Sequence, residues 1–194
     1  MARVPYVKEE VEIPEGIDVQ VTEDKRVVVK GPLGTIEKDF SHAKYILLNK
    51  NDNRVVVEAY FADRRNRSLV KTLASKIRNM IVGVQRGYRY KMKIVFAHYP
   101  MSVKVDEKRG LVIIENFLGE KDKRYAKILP GVKVKVQKDD VIVEGIDIEA
   151  VGQTAGNIHL ATHLTGKRRL SPHGREGGPG ILDGIYLYEK EHIK

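Results

Sequence analysis

The chain contains no Cys and no Trp. Without Cys there is no disulfide scaffold, no thiol nucleophile and no Cys-ligated zinc. Long hydrophobic runs are also missing. The longest resemble Ile94-Val95-Phe96-Ala97, far short of the roughly 18–20 apolar residues that a membrane helix needs. The opening residues, Met1 to Tyr6, lack the apolar stretch of a secretory signal, so the expectation is a soluble, cytoplasmic protein. Acidic residues are the minority: 26 Asp+Glu stand against 35 Lys+Arg, for a net charge of +9. What the chain does have is 194 residues, 42% of them hydrophobic. That suffices for a packed core in one domain or two small ones.

The positive charge is uneven. Residues 1–97 carry a net +7 and residues 98–194 only +2. Asp63 to Lys93 contains ten basic residues, among them Arg64, Arg65, Arg67, Lys71 and Arg78, and a single acid, Asp63. A second cluster, Lys167-Arg168-Arg169 with Arg175, lies in a Gly/Pro-rich stretch. A cationic helix face can be no more than a solvated surface. Clustering with almost no counter-charge points instead to a polyanionic partner.

An internal repeat organises the chain. Val27-Val28-Val29 resembles Val112-Ile113-Ile114, and Leu33-Gly34 resembles Leu118-Gly119, both at an offset of 85. Arg54 to Glu58 resembles Asp140 to Glu144 at an offset of 86. Val70, Ala74 and Ile77 match Val151, Ala155 and Ile158 at an offset of 81. Valine triplets are common, but a shared order at a nearly constant offset is not. The fold expected is α+β: two similar domains, 1–97 and 98–194, each a mainly antiparallel sheet packed against one helix. Strands are expected at 17–21, 26–30, 45–49, 54–58 and 88–97. In the second repeat they are expected near 101–106, 111–116, 132–136, 141–145 and 185–188. Leu69, Val70, Leu73, Ile77, Met80, Ile81 and Val84 recur at helical spacing, with Asp63 as N-cap and Gly87 as stop. The second helix, from an Asp147 cap to about Thr162, carries no Lys or Arg. Gly152, Ala155 and Gly156 make it thin, so a partner can approach its backbone closely.

Most catalytic chemistry fails on spacing. His159 and His163 are four apart on a helix, as in zincins, but no Glu lies between them and no third ligand is evident. A metallohydrolase is therefore remote, and no metal or cofactor is expected. The Gly-rich run Gly174 to Gly180 is not followed by the Lys-Ser or Lys-Thr of a Walker loop. No nucleophile elbow is present. Arg86-Gly87-Tyr88 and Tyr90 echo an RNA-recognition-motif strand, but Arg89, Lys91 and Lys93 occupy places that motif keeps small or apolar. Tyr88 and Tyr90 are read as sheet packing. The Gly/Pro/Arg tail suits phosphates: glycines allow close approach, and Arg presents a planar fork to phosphate oxygens.

Several stretches resemble one family. They are Ile13-Pro14-Glu15-Gly16-Ile17, the Val29-Lys30-Gly31-Pro32-Leu33-Gly34 loop, Asn79 to Val84, and the end Asp183-Gly184-Ile185-Tyr186-Leu187-Tyr188-Glu189-Lys190. Together they resemble the universal large-subunit ribosomal protein six family in its archaeal and eukaryotic branch. Pro179 and Ile181 stand where that family places Arg and Phe, and the tail reads as carrying an insertion around Ser171 to Pro179. The resemblance implies a structural, non-enzymatic protein of the large ribosomal subunit, cytoplasmic and within the ribosome. Its C-terminal domain and tail would bind large-subunit rRNA near the sarcin–ricin loop. It would sit among neighbouring ribosomal proteins at the stalk base, where translational GTPases dock, with no DNA or membrane partner. The RNA-facing residues so implied are Lys167, Arg168, Arg169, His173, Arg175, Gly177, Gly178, Gly184 and Tyr186, with Gly152, Gly156 and Asn157 on the thin helix. Arg64, Arg65, Arg67, Lys71 and Arg78 are expected to contact RNA or protein. The alternative is a basic adaptor that binds an acidic protein partner.

Overall fold

The structure, a computed structural model, describes residues 4–97, 99–164 and 182–193. The chain forms two units. One runs through Gly87 and includes Ile146–Ile148, and the other comprises Tyr88–Gly145 and Glu149–Ile193.

In the first unit, β1 (Val4–Glu12), β6 (Arg54–Ala62) and β5 (Leu47–Asn51) form one antiparallel sheet in the order β1-β6-β5. The strands β2 (Asp18–Val21), β3 (Arg26–Gly31) and β4 (Gly34–Asp39) form a second, antiparallel, in chain order. The helix α1 (Arg64–Arg86) packs on this unit. Asp63 caps it, its carboxylate accepting from the Asn66 N–H at 2.7 Å. Gly87 stops it at φ 68°, a conformation only glycine adopts without strain. Val70, Leu73, Ala74, Ile77, Met80, Ile81 and Val84 face inward against Val27, Val29, Val55, Val57 and Ile46. Apart from Ala74, each such side chain, fully buried, contributes about 1.5–3 kcal/mol.

In the second unit, β7 (Tyr88–Val95), β11 (Val132–Gln137), β12 (Asp140–Gly145) and β13 (Gly184–Glu191) form a sheet in the order β11-β12-β7-β13. The strands β8 (Ser102–Asp106), β9 (Leu111–Glu115) and β10 (Arg124–Lys127) form the other, in the order β10-β9-β8. The helix α2 (Ile148–Ala161) buries Val151, Thr154, Ala155 and Ile158.

The duplication is visible strand by strand. The order β1-β6-β5 corresponds to β7-β12-β11, and β2-β3-β4 corresponds to β8-β9-β10. Among the described strands β13 alone has no counterpart. It pairs with the second edge of β7, while the equivalent edge of β1 has no strand beside it among the described residues.

Several expectations are corrected. The division falls at Gly87/Tyr88, not 97/98, because β7 pairs with β12 and β13. The strands β1, β4 and β10 leave no local signal: their apolar residues are too few or too broken up by charge. β5 lies two residues later than expected, and β13 is twice the expected length. The end of α2 falls at Ala161, as expected near Thr162, whose hydroxyl turns back to the His159 carbonyl at 3.1 Å.

Candidate nucleic-acid interface

Two surfaces gather the residues singled out by charge and resemblance. The first lies where the end of α2 meets the start of β13. The Thr162 hydroxyl accepts from the Ile185 N–H at 3.0 Å. His159 Nδ1 lies 2.9 Å from the Ile185 carbonyl, which can only accept, so that nitrogen carries a proton. The Asp183 carboxylate, 3% exposed, accepts from the Ala97 N–H at 3.1 Å and ties β13 to the end of β7. The Tyr186 and His163 rings lean on His159, at 5.3 and 5.6 Å between centroids. A Cβ on Gly184 would sit 3.2 Å from the Tyr186 ring. Hence this Asp-Gly-Ile-Tyr run is an anchor: Asp183 bonds backbone, Gly184 clears the ring, Ile185 is buried and Tyr186 faces outward. The groove beside it is lined by Lys93, His159, His163, Leu164, Leu182 and Tyr186. Leu164 and Leu182 flank segment 165–181.

Lys167, Arg168, Arg169, His173, Arg175, Gly177 and Gly178 lie outside the described residues. A Cβ built on Gly152 would lie 4.0 Å from the Tyr90 ring and one on Gly156 would meet nothing within 4 Å. Both glycines line a shallow groove with Tyr186, Leu187 and Lys190. Asn157 is already engaged: it donates to the Lys127 carbonyl at 2.9 Å and accepts from Gln153 at 2.9 Å. Its side chain fastens α2 to β10. No group of three or more His, Asp or Glu converges as a metal site among the described residues. Nor is any described helix long and apolar enough to cross a membrane.

The second surface is α1, and here the structure divides the basic cluster in two. Arg89 pairs with Glu144 at 2.6 Å and Glu191 at 3.1 Å. Lys91 pairs with Glu189 at 3.1 Å and Glu191 at 3.0 Å, and Lys93 with Asp140 at 3.3 Å. These three β7 cations are neutralised by acids from distant strands, which the local charge count does not register. The hydrogen bonds from Lys91 and Arg89 hold the Glu191 carboxyl below its ordinary value. Burial pushes Glu144 upward, but Arg89 and Lys135 outweigh it and leave that carboxyl low as well. Tyr88 and Tyr90 are buried in the sheet, as their reading as packing residues expects. On α1, by contrast, Arg64, Arg65, Arg67, Lys71, Arg78 and Arg86 are exposed, and among the described residues none has an ion-pair partner.

A sequence model of the family described as Ribosomal protein L6 matches residues 13–87 and 99–168, one stretch per unit. The chain is 52% identical to the large ribosomal subunit protein uL6 of Desulfurococcus amylolyticus, over 98% of both chains. It is 52% identical to that of Aeropyrum pernix over the full length of both. With that of Staphylothermus marinus it shares 50% identity over 97% of both. A duplicated α+β fold, two family matches that follow the duplication, and half-identical relatives of the same length make this chain a member of the ribosomal protein L6 family.

Proposed function

We propose that the chain is a structural, non-catalytic constituent of the large ribosomal subunit. It binds large-subunit rRNA through the α2–β13 end of its second unit, near the sarcin–ricin loop and the GTPase-docking region at the stalk base. One observation carries the placement on the chain: the hydrogen-bonded anchor of His159, Thr162, Asp183 and Ile185. It fixes Thr162 and Asp183, the described residues that stand before and after Lys167, Arg168, Arg169 and Arg175 in the sequence. Preorganisation of this kind lowers the ordering cost of binding. Contacts run mainly to backbone and shape, because an A-form helix hides its major-groove edges.

The test is binding to a large-subunit rRNA fragment with the sarcin–ricin region, against an unrelated RNA duplex, as salt is raised. The expected result is a preference for the fragment that persists at moderate salt. Changing Arg168→Ala with Arg169→Ala weakens binding and flattens the salt dependence by roughly 0.7–0.9 for each phosphate no longer neutralised. Equal affinities that collapse together with salt would overturn the reading.

A further inference from the structure

The α1 surface does not belong to that site, and two features of it are unfavourable for the folded chain alone. The first is electrostatic. At about 100° per residue, Arg64, Arg67, Lys71, Arg78 and Arg86 fall within one stripe of the helix. Arg64 and Arg67 are three apart, Arg67 and Lys71 four apart, so like charges are neighbours along the stripe. The first turn carries Arg64, Arg65 and Arg67 and no acid, which sets cations against the positive end of the helix dipole. No described acid neutralises any of them.

The second feature is the corner leading into the helix. Strand alternation would point Phe61 inward with Val55, Val57 and Ala59. Instead Phe61 adopts φ 49°, a left-handed backbone that a bulky residue rarely takes, and the residue is 70% exposed. Ala62 goes inward in its place. The neighbouring Tyr60 is exposed as well and packs on Tyr6 at 5.2 Å. A strained backbone here holds an aromatic ring in water three residues before a row of unpaired cations.

We propose that this corner and the α1 stripe form a second RNA-binding surface, in which Phe61 stacks on an unpaired base and the stripe follows the phosphates of the same strand. Charge complementarity names the occupant: the unpaired cations call for a polyanion, and the exposed ring selects a polyanion that carries bases.

The experiment uses the full chain with Lys167, Arg168, Arg169 and Arg175 changed to Gln, which silences the tail. Its binding to a 12-nucleotide oligouridine and to inorganic polyphosphate is measured across salt. Oligouridine binding persists in this background. Adding R64Q, R67Q and K71Q flattens the salt dependence for both probes by about two, at roughly 0.7 for each phosphate released. Adding F61N instead lowers oligouridine affinity about five- to hundredfold and leaves polyphosphate binding unchanged. Asn tolerates the left-handed backbone, so melting temperature should hold and loss of fold will not mimic the effect. Three outcomes overturn the proposal: no oligouridine binding once the tail is silent; binding indifferent to both sets of changes; or α1 variants that keep RNA affinity but bind a ribosomal protein less well. The third would assign the stripe to a protein partner. Failure here with the rRNA-fragment preference intact leaves the tail-centred reading standing, and the reverse result leaves this one standing.

Discussion

At Gly31 a methyl group has no room. A Cβ built there would lie 2.7 Å from Val84 Cγ2, 2.9 Å from its Cβ and 3.1 Å from its carbonyl oxygen. The Leu33 N–H donates to that same carbonyl at 3.0 Å, so the loop and the last turn of α1 are fastened at this point. Gly31→Ala should cost about 1–3 kcal/mol through overpacking against backbone that cannot retreat. In urea the unfolding midpoint would fall while the slope stays the same; an unchanged midpoint would mean that the loop yields freely. Asp183 poses the opposite case, a buried carboxylate whose loss removes a bond. Asp183→Ala takes away the charged acceptor of the exposed Ala97 N–H and should cost about 1–3 kcal/mol. Amide exchange at Ala97 and Ile185 should then outpace exchange at Val141 and Val143; protection as in the parent would rule out the anchor.

The ion-pair cluster on β12, β7 and β13 gives the sheet a pH dependence of definite sign. Glu144 and Glu191 both titrate lower in the folded chain than the ordinary 4.5. On β9, hydrogen bonds from Lys104 and Lys123 bring Glu115 down to about 2. Lowered folded values mean that the unfolded chain takes up protons first. The pairs therefore contribute in full above the ordinary glutamate range, and the contribution drains away as pH falls through the depressed values. The stability gap between the parent chain and Glu191→Gln should narrow from pH 7 to pH 3, followed by denaturant melts. A constant gap would show that the pairs add nothing to stability. This cluster also shows where sequence reading stops. Asp63, Gly87 and the apolar stripe make α1 legible from local pattern alone, and so does its cationic face. The partners of Arg89 lie 55 and 102 residues away, and only strand pairing reveals them. β1 escapes notice because Lys8-Glu9-Glu10 interrupts its alternation, yet it pairs with β6 along its length. On the RNA side, Gly184 and Tyr186 come from the family signature, while their tie to His159 and Thr162 needs the fold.

Each unit has its own sheets, helix and core, and the chain divides at the end of α1. A fragment ending at Gly87 should fold alone and unfold in one cooperative step, since nearly all of its core comes from within. A broad, non-cooperative melt would show that Ile146–Ile148, which belong to the same unit, are needed. The strand without a counterpart has a further consequence. Two halves built on one strand order offer β13 two destinations during synthesis, the edge of β7 and the similar edge of β1. Register separates them. Glu189 stands opposite Lys91 on β7, but on β1 the corresponding place, set by the Glu12–Arg54 and Lys93–Asp140 pairings, holds Glu10. Like charges directly opposite one another disfavour pairing. At that one position Glu189 favours a late-made strand's own half of the duplicated chain over its twin.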